Sequence, residues 1–115
     1  MNPKSVKAKG RKLQNLVRDV LRRSFPSLEE DDIKSQTMGM TGEDIVLSPA
    51  AKKAIPYSFE CKNVERLQFW ATVEQAESNC ESRIPAIVVK KNNRNPYIAI
   101  PLDSFIDIIK EEDGT

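Results

Sequence analysis

The sequence predicts an α/β sandwich, with helices on a mixed central sheet in the order αββαββα, and three observations carry this. Apolar side chains recur at helical spacing in three separated stretches. Short β-branched or apolar runs lie between them, and clusters of proline, glycine or asparagine divide the two kinds of segment. At 115 residues, without an internal repeat, the chain has the size of one domain built on one core.

Over residues 10–23, Leu13, Leu16, Val17, Val20 and Leu21 follow the i, i+3, i+4, i+7, i+8 pattern of an amphipathic helix. Residues 1–9 read as a flexible basic arm before it. Phe25-Pro26 ends the helix, because proline disfavours helical backbone at the residue before it. Ser27 and Glu30 have the spacing of a capping box, and the acidic run 29–32 reads as a solvated connector. A glycine-rich approach over 38–42 leads to a strand at 43–47. Residues 48–56, with Pro49 and Pro56 near their ends, read as a connection, and a second strand follows at 57–62. Side chains alternate along a strand, so Ser58, Glu60 and Lys62 share one face while Tyr57, Phe59 and Cys61 take the other. A second helix over 66–82 directs Trp70, Val73, Ala76 and Cys80 inward, with Trp70 expected in the core or at a dimer contact, and Pro85 stops it. Runs at 86–89 and 97–100 form a hairpin across the polar turn 90–95. The last helix opens at Pro101-Leu102-Asp103, with Asp103 as N-cap and Phe105, Ile106 and Ile109 inward; 111–115 read as a flexible tail.

Composition narrows the chemistry. The chain has no histidine, which removes the usual zinc ligand and the commonest general base, so any hydrolysis rests on carboxylates, lysine and a bound ion. No apolar run approaches the roughly 18 residues of a membrane span, and no secretory or lipidation motif is readable, so a cytoplasmic protein is expected. In that compartment Cys61 and Cys80 are free thiols. Net charge is only +1, but residues 4–23 carry Lys4, Lys7, Lys9, Arg11, Lys12, Arg18, Arg22 and Arg23 against Asp19 alone. Such a face suits sequence-independent contact with phosphates. Lys52 and Lys53, and Lys90, Lys91 and Arg94 at the hairpin turn, are further candidates for DNA.

The constellation that carries chemistry is Asp44 followed, after fifteen residues, by Glu60-Cys61-Lys62. Magnesium prefers hard oxygen ligands and takes one or two carboxylates together with phosphate and water. Asp44 and Glu60 on neighbouring strands can supply these, and the main-chain carbonyl of Cys61 can add another oxygen. Lys62, on the Glu60 side, can orient the attacking water and offset charge on the phosphate. A Glu-x-Lys triplet alone is common and often a cross-strand ion pair; its setting makes it specific.

Across nearly the whole chain that setting resembles the PD-(D/E)xK nuclease superfamily, and within it the archaeal-type Holliday junction resolvases and their small bacteriophage relatives. The segments carrying the resemblance are 9–17, 35–45, Phe59-Glu60-Cys61-Lys62-Asn63, 70–75 and 87–101. The resemblance implies a restriction-endonuclease-like core and a homodimeric, magnesium-dependent endonuclease, with manganese substituting, that makes paired nicks in branched or four-way-junction DNA. It assigns Asp44 and Glu60 as metal ligands, Lys62 as the catalytic lysine and Gln75 as the active-site glutamine. Two departures stand out. Gln14 occupies the first-helix position of a resolvase glutamate and would reach a metal through water, and Glu43 stands where the superfamily has a proline, a position without chemistry of its own. A nuclease acting on linear, flapped or single-stranded DNA would use the same residues, and a non-catalytic DNA-binding module would keep the fold.

Overall fold

Helix α1 (Pro3–Ser24) opens the chain and ends just ahead of Phe25-Pro26, as the sequence requires. The computed structural model describes residues 3–114. Residues 3–9, expected as a flexible arm, are therefore the first turns of α1, while Met1, Asn2 and Thr115 lie outside the described residues.

Two elements follow that the sequence reading did not separate. Strand β1 (Ile33–Ser35) pairs antiparallel with β2 (Ile45–Leu47), in the register Ile33↔Leu47 and Ser35↔Ile45. Helix α2 (Pro49–Ala54) replaces the expected connection. Its start is written locally: the Ser48 hydroxyl accepts the Ala51 N–H at 3.1 Å, and proline at the first helical position lacks only an N–H that would be unpaired there. The acidic run is more than a solvated connector. The Asp32 carboxylate accepts the Glu29 N–H at 2.7 Å and the Ser48 hydroxyl at 2.6 Å, so the capping pair is Glu29 with Asp32 instead of Ser27 with Glu30. These two donors hold the Asp32 carboxyl below its ordinary range.

Strand β3 (Tyr57–Asn63), helix α3 (Phe69–Asn79), strand β4 (Ile84–Lys90), strand β5 (Tyr97–Ala99) and helix α4 (Leu102–Glu112) complete the chain. β3 and β4 run parallel with α3 as their crossover, and β5 returns antiparallel to β4, pairing Ile87 with Ala99. The fold is thus mixed α/β, with four helices, a two-stranded sheet and a three-stranded mixed sheet among the described residues. No described helix is long and apolar enough to cross a membrane.

The core lies between α1 and the sheets. Leu13 and Val17 meet Ile33, Ile45, Leu47, Phe59, Cys61, Ala86 and Val88, all buried. Alternation along β3 holds: Phe59 and Cys61 enter this core while Glu60 takes the opposite face toward α3.

Two expectations about helix faces fail, for different reasons. On α3 the inward residues include Thr72 and Ala76, and Trp70 is 76% exposed, so it is not a core residue. The polar Thr72 goes inside because its hydroxyl donates to the Gln68 carbonyl at 2.8 Å. On α4, Phe105, Ile106 and Ile109 are exposed by 50%, 42% and 46%, and no residue of the helix is buried. The stripe exists, but among the described residues no other element makes more than marginal contact with α4. The N-cap is Pro101, with Asp103 in the first turn.

Candidate metal centre

Asp44 stands where the two sheets meet. Its N–H donates to the Phe59 carbonyl at 2.9 Å and its carbonyl accepts the Gln36 N–H at 2.8 Å, fixing its backbone to both β3 and the β1 strand end. The chain turns into this position through Gly42, whose φ of 105° lies in the left-handed region that favours glycine. Glu43 anchors the turn from the other side: its carboxylate accepts from Arg83 at 2.5 Å and from the Ser58 hydroxyl at 2.7 Å. The position that holds proline in the resembled superfamily therefore carries a largely buried ion pair that fixes the approach to Asp44.

The side chain of Asp44 is held by backbone. Its Oδ2 accepts the Cys61 N–H at 2.6 Å, a charge-assisted bond linking the aspartate to the middle of the Glu60-Cys61-Lys62 triplet. Glu60 follows on the α3 side and is 2% exposed. Lys62 adds its positive charge to the fields of both carboxylates, and the Gln14 amide of α1 reaches Asp44. The structure therefore brings together Asp44, Glu60, the Cys61 main chain, Lys62 and Gln14.

Withdrawing two neighbouring carboxylates from water, Glu60 fully and Asp44 in part, disfavours their charged forms. Burial raises the pKa of Asp44, against the opposing pull of the Cys61 N–H and Lys62. Glu60 is pushed up to about 7, first by burial and then by the charge of Asp44, with Lys62 pulling it back. The Cys61 thiol is pushed up by burial, and both cysteines are free and buried, which leaves them inert.

Oxygens without partners complete the picture. Gln14 Oε1 and Glu60 Oε1 are buried and accept no hydrogen bond among the described residues. Unpaired buried acceptors are rare in proteins, and oxygens of this kind are the donors a hard cation takes. Among the described residues no three His, Cys, Asp or Glu side chains converge, so an ion here would have two acidic ligands, with amide, carbonyl, phosphate or water oxygens as the rest. That is a magnesium-like donor set rather than a zinc-like one.

Gln75 does not join the site. It is exposed on α3, and Asn79, one turn further on, is the residue whose amide faces Glu60. Asn79 also donates to the Gly42 carbonyl at 3.3 Å, tying α3 to the approach to Asp44. Its signal was available, since Thr72, Ala76 and Asn79 follow i, i+4, i+7 along one helix face.

The basic residues divide into committed and free. Lys9 pairs with Glu65 at 3.5 Å, and its carbonyl accepts from the Asn63 amide at 3.1 Å, which sets the first half of α1 beside the end of β3. Arg18 bonds Asp19 and Asn15, while Arg22 donates to the Ile33 carbonyl at 2.9 Å. Arg11 and Lys12 are exposed. Lys52 and Lys53 lie in the last turn of α2, where positive charge also offsets the helix dipole. Lys90, partly buried, donates to the Lys91 carbonyl at 3.0 Å; Lys91 and Arg94 are exposed at the hairpin turn.

Compared with protein-family models, curated proteins and solved structures, the chain matches none.

Proposed function

We propose that this chain is a magnesium-dependent endodeoxyribonuclease with a PD-(D/E)xK site, acting as a homodimer on branched DNA, four-way junctions included, by paired nicks. The observation that carries the reading is the pairing of the partly buried Asp44 with the buried Glu60, with a lysine beside them and partnerless acceptors on Glu60 and Gln14.

Asp44 and Glu60 would hold the ion, with Gln14 acting through its unpaired oxygen or an intervening water. When bound, magnesium, or manganese in its place, polarises the scissile phosphate and favours hydroxide over water. Lys62 neutralises charge that builds on the phosphate oxygens as water attacks and the ester bond breaks. The Cys61 N–H keeps Asp44 in one orientation throughout, and Asn79 stabilises the ionised form of Glu60. Arg11, Lys53, Lys91 and Arg94 supply exposed positive charge for phosphates away from the cut. Support for the finer fold assignment is the succession of a helix, a hairpin, a site-bearing strand and a helical crossover to a parallel strand.

The test is incubation of the protein with end-labelled four-way junction, flap, duplex and single-stranded DNA, with magnesium or with chelator. Symmetric nicks in the junction, lost with chelator and in Glu60→Ala, are expected. Undiminished cutting by Glu60→Ala would sink the site, equal cutting of every substrate would reduce the activity to general nuclease, and binding without any cutting would leave a DNA-binding module.

A further inference from the structure

A large apolar surface lies away from the carboxylates. Between α1, the α1-facing side of β3 to β5 and the edge of α4 runs a groove of about 540 Å³, whose lining includes Leu16, Val20, Tyr57, Ile98 and Ile108. Beside it α4 makes only marginal contact with the rest of its chain. Its Leu102, Phe105, Ile106, Ile108 and Ile109 are between 39% and 73% exposed. We infer that this face binds a second copy of the chain, the apolar stripe of α4 from each copy seating in the groove of the other.

Three features select that occupant. The first is that both complementary halves are present on one chain: a ridge at i, i+3, i+4, i+7 (Leu102, Phe105, Ile106, Ile109) and an apolar trough beside a second helix. A two-fold axis then satisfies both at once, because each copy gives a ridge and receives one. The second is charge. Asp103, Asp107 and Glu111, four residues apart, form an acidic edge along α4, whereas Lys12 and Arg23 flank Leu16 on the groove wall at i−4 and i+7. The third is size. Leu16, Val20, Tyr97, Ile98 and the five apolar residues of α4 are each between 39% and 74% exposed, and at about half of a large side chain's area apiece they present on the order of 800 Å², one partner's share of a standard interface.

Other occupants suit the face less well. The groove lining is apolar apart from tyrosine hydroxyls, so nothing there would orient a small polar metabolite. The acidic edge of α4 would be repelled by an anionic lipid surface. The inference rests on the homodimer of the proposed function, whose interface it names from this apolar face, and it does not depend on nuclease activity.

The experiment is the mass in solution, by sedimentation or light scattering, of the full chain and of two double variants across low to high micromolar concentration. Wild-type protein, and equally Glu60→Gln, should run at twice 13.0 kDa. Phe105→Asp with Ile109→Asp removes the ridge, and Leu16→Asp with Val20→Asp closes the groove; each alone should run as monomer with unchanged far-ultraviolet circular dichroism. Mixed together, the two variants should regain part of the dimer, since one intact ridge then meets one intact groove. A monomeric wild type would overturn the proposal, as would a ridge variant that still dimerises, or mixed variants that stay monomeric while each remains folded.

Discussion

Around Glu60 the molecule puts charge inside, and along α4 it leaves hydrocarbon outside. Both invert the ordinary sorting of side chains by water. Glu60 is 2% exposed with one oxygen unpaired, while Phe105 is half exposed on a helix with no buried residue. On the proposed reading each region takes something from outside the single chain. The carboxylates take positive charge from a hard cation, and the helix takes the apolar surface of a second copy. The departures from sorting have opposite signs, and each points to the chemistry of the proposed ligand.

The largest effect expected on the charged region is chemical. Asp44→Asn and Glu60→Ala should each lower magnesium-dependent nicking of branched DNA by roughly 10³-fold, measured in single-turnover assays, because each removes a proposed ligand of the ion that would offset transition-state charge. Next comes the ion pair behind the site. Arg83→Met leaves Glu43 buried without its partner and should lower stability by about 3 kcal/mol in urea denaturation, against little change for the exposed Arg94→Met.

A smaller effect comes from titration of Glu60, and its sign is opposite to that of most carboxylates. The folded pKa is raised to about 7 from an ordinary 4.5, so the folded protein keeps a proton that the unfolded chain releases. Its contribution to stability is full below the unfolded pKa and disappears as pH rises through the folded one. Metal-free protein should therefore lose on the order of 2 kcal/mol between about pH 4 and pH 8 on this account. Glu60→Gln should flatten that slope, and magnesium should raise Tm more at the alkaline end, where the carboxylate is free to bind it. If chelated wild type and Glu60→Gln lost stability in parallel, the contrast between charge held inside at Glu60 and hydrocarbon left outside on α4 would collapse.

The smallest effect separates neighbours on α3. Asn79→Ala should move the rise of activity to higher pH, since the amide favours ionised Glu60. Gln75→Ala should leave the pH profile where it is. A reversal, with Gln75 moving the profile and Asn79 silent, would return the glutamine to the site.

Legibility in the sequence followed the strength of local rules. The strand carrying Glu60 and Lys62, the hairpin of β4 and β5, and the end of α1 before Pro26 all follow from alternation, turn residues and proline sterics. Helix α2 was written as plainly, in Ser48-Pro49-Ala50-Ala51, but two prolines were read as breaks although the first of them starts a helix. β1 was hidden because three residues carry no period; its place comes from pairing with β2. On α3 the apolar stripe misled, since hydrogen bonds bring the polar Thr72 and Asn79 inward. The pair Asp44 and Glu60 could be read as a spacing, but the withdrawal of Glu60 and, in part, of Asp44 from water, which raises the pKa of each, is a product of tertiary packing.

The bond from the Cys61 N–H to Asp44 has a consequence for how such a site tolerates change. The donor belongs to the main chain, so almost any residue at position 61 preserves it, and the side chain there answers only to the core it fills. Proline alone deletes the donor. Drift at this position can rewrite the lettering between Glu60 and Lys62 while the grip on Asp44 passes unchanged from one sequence to the next.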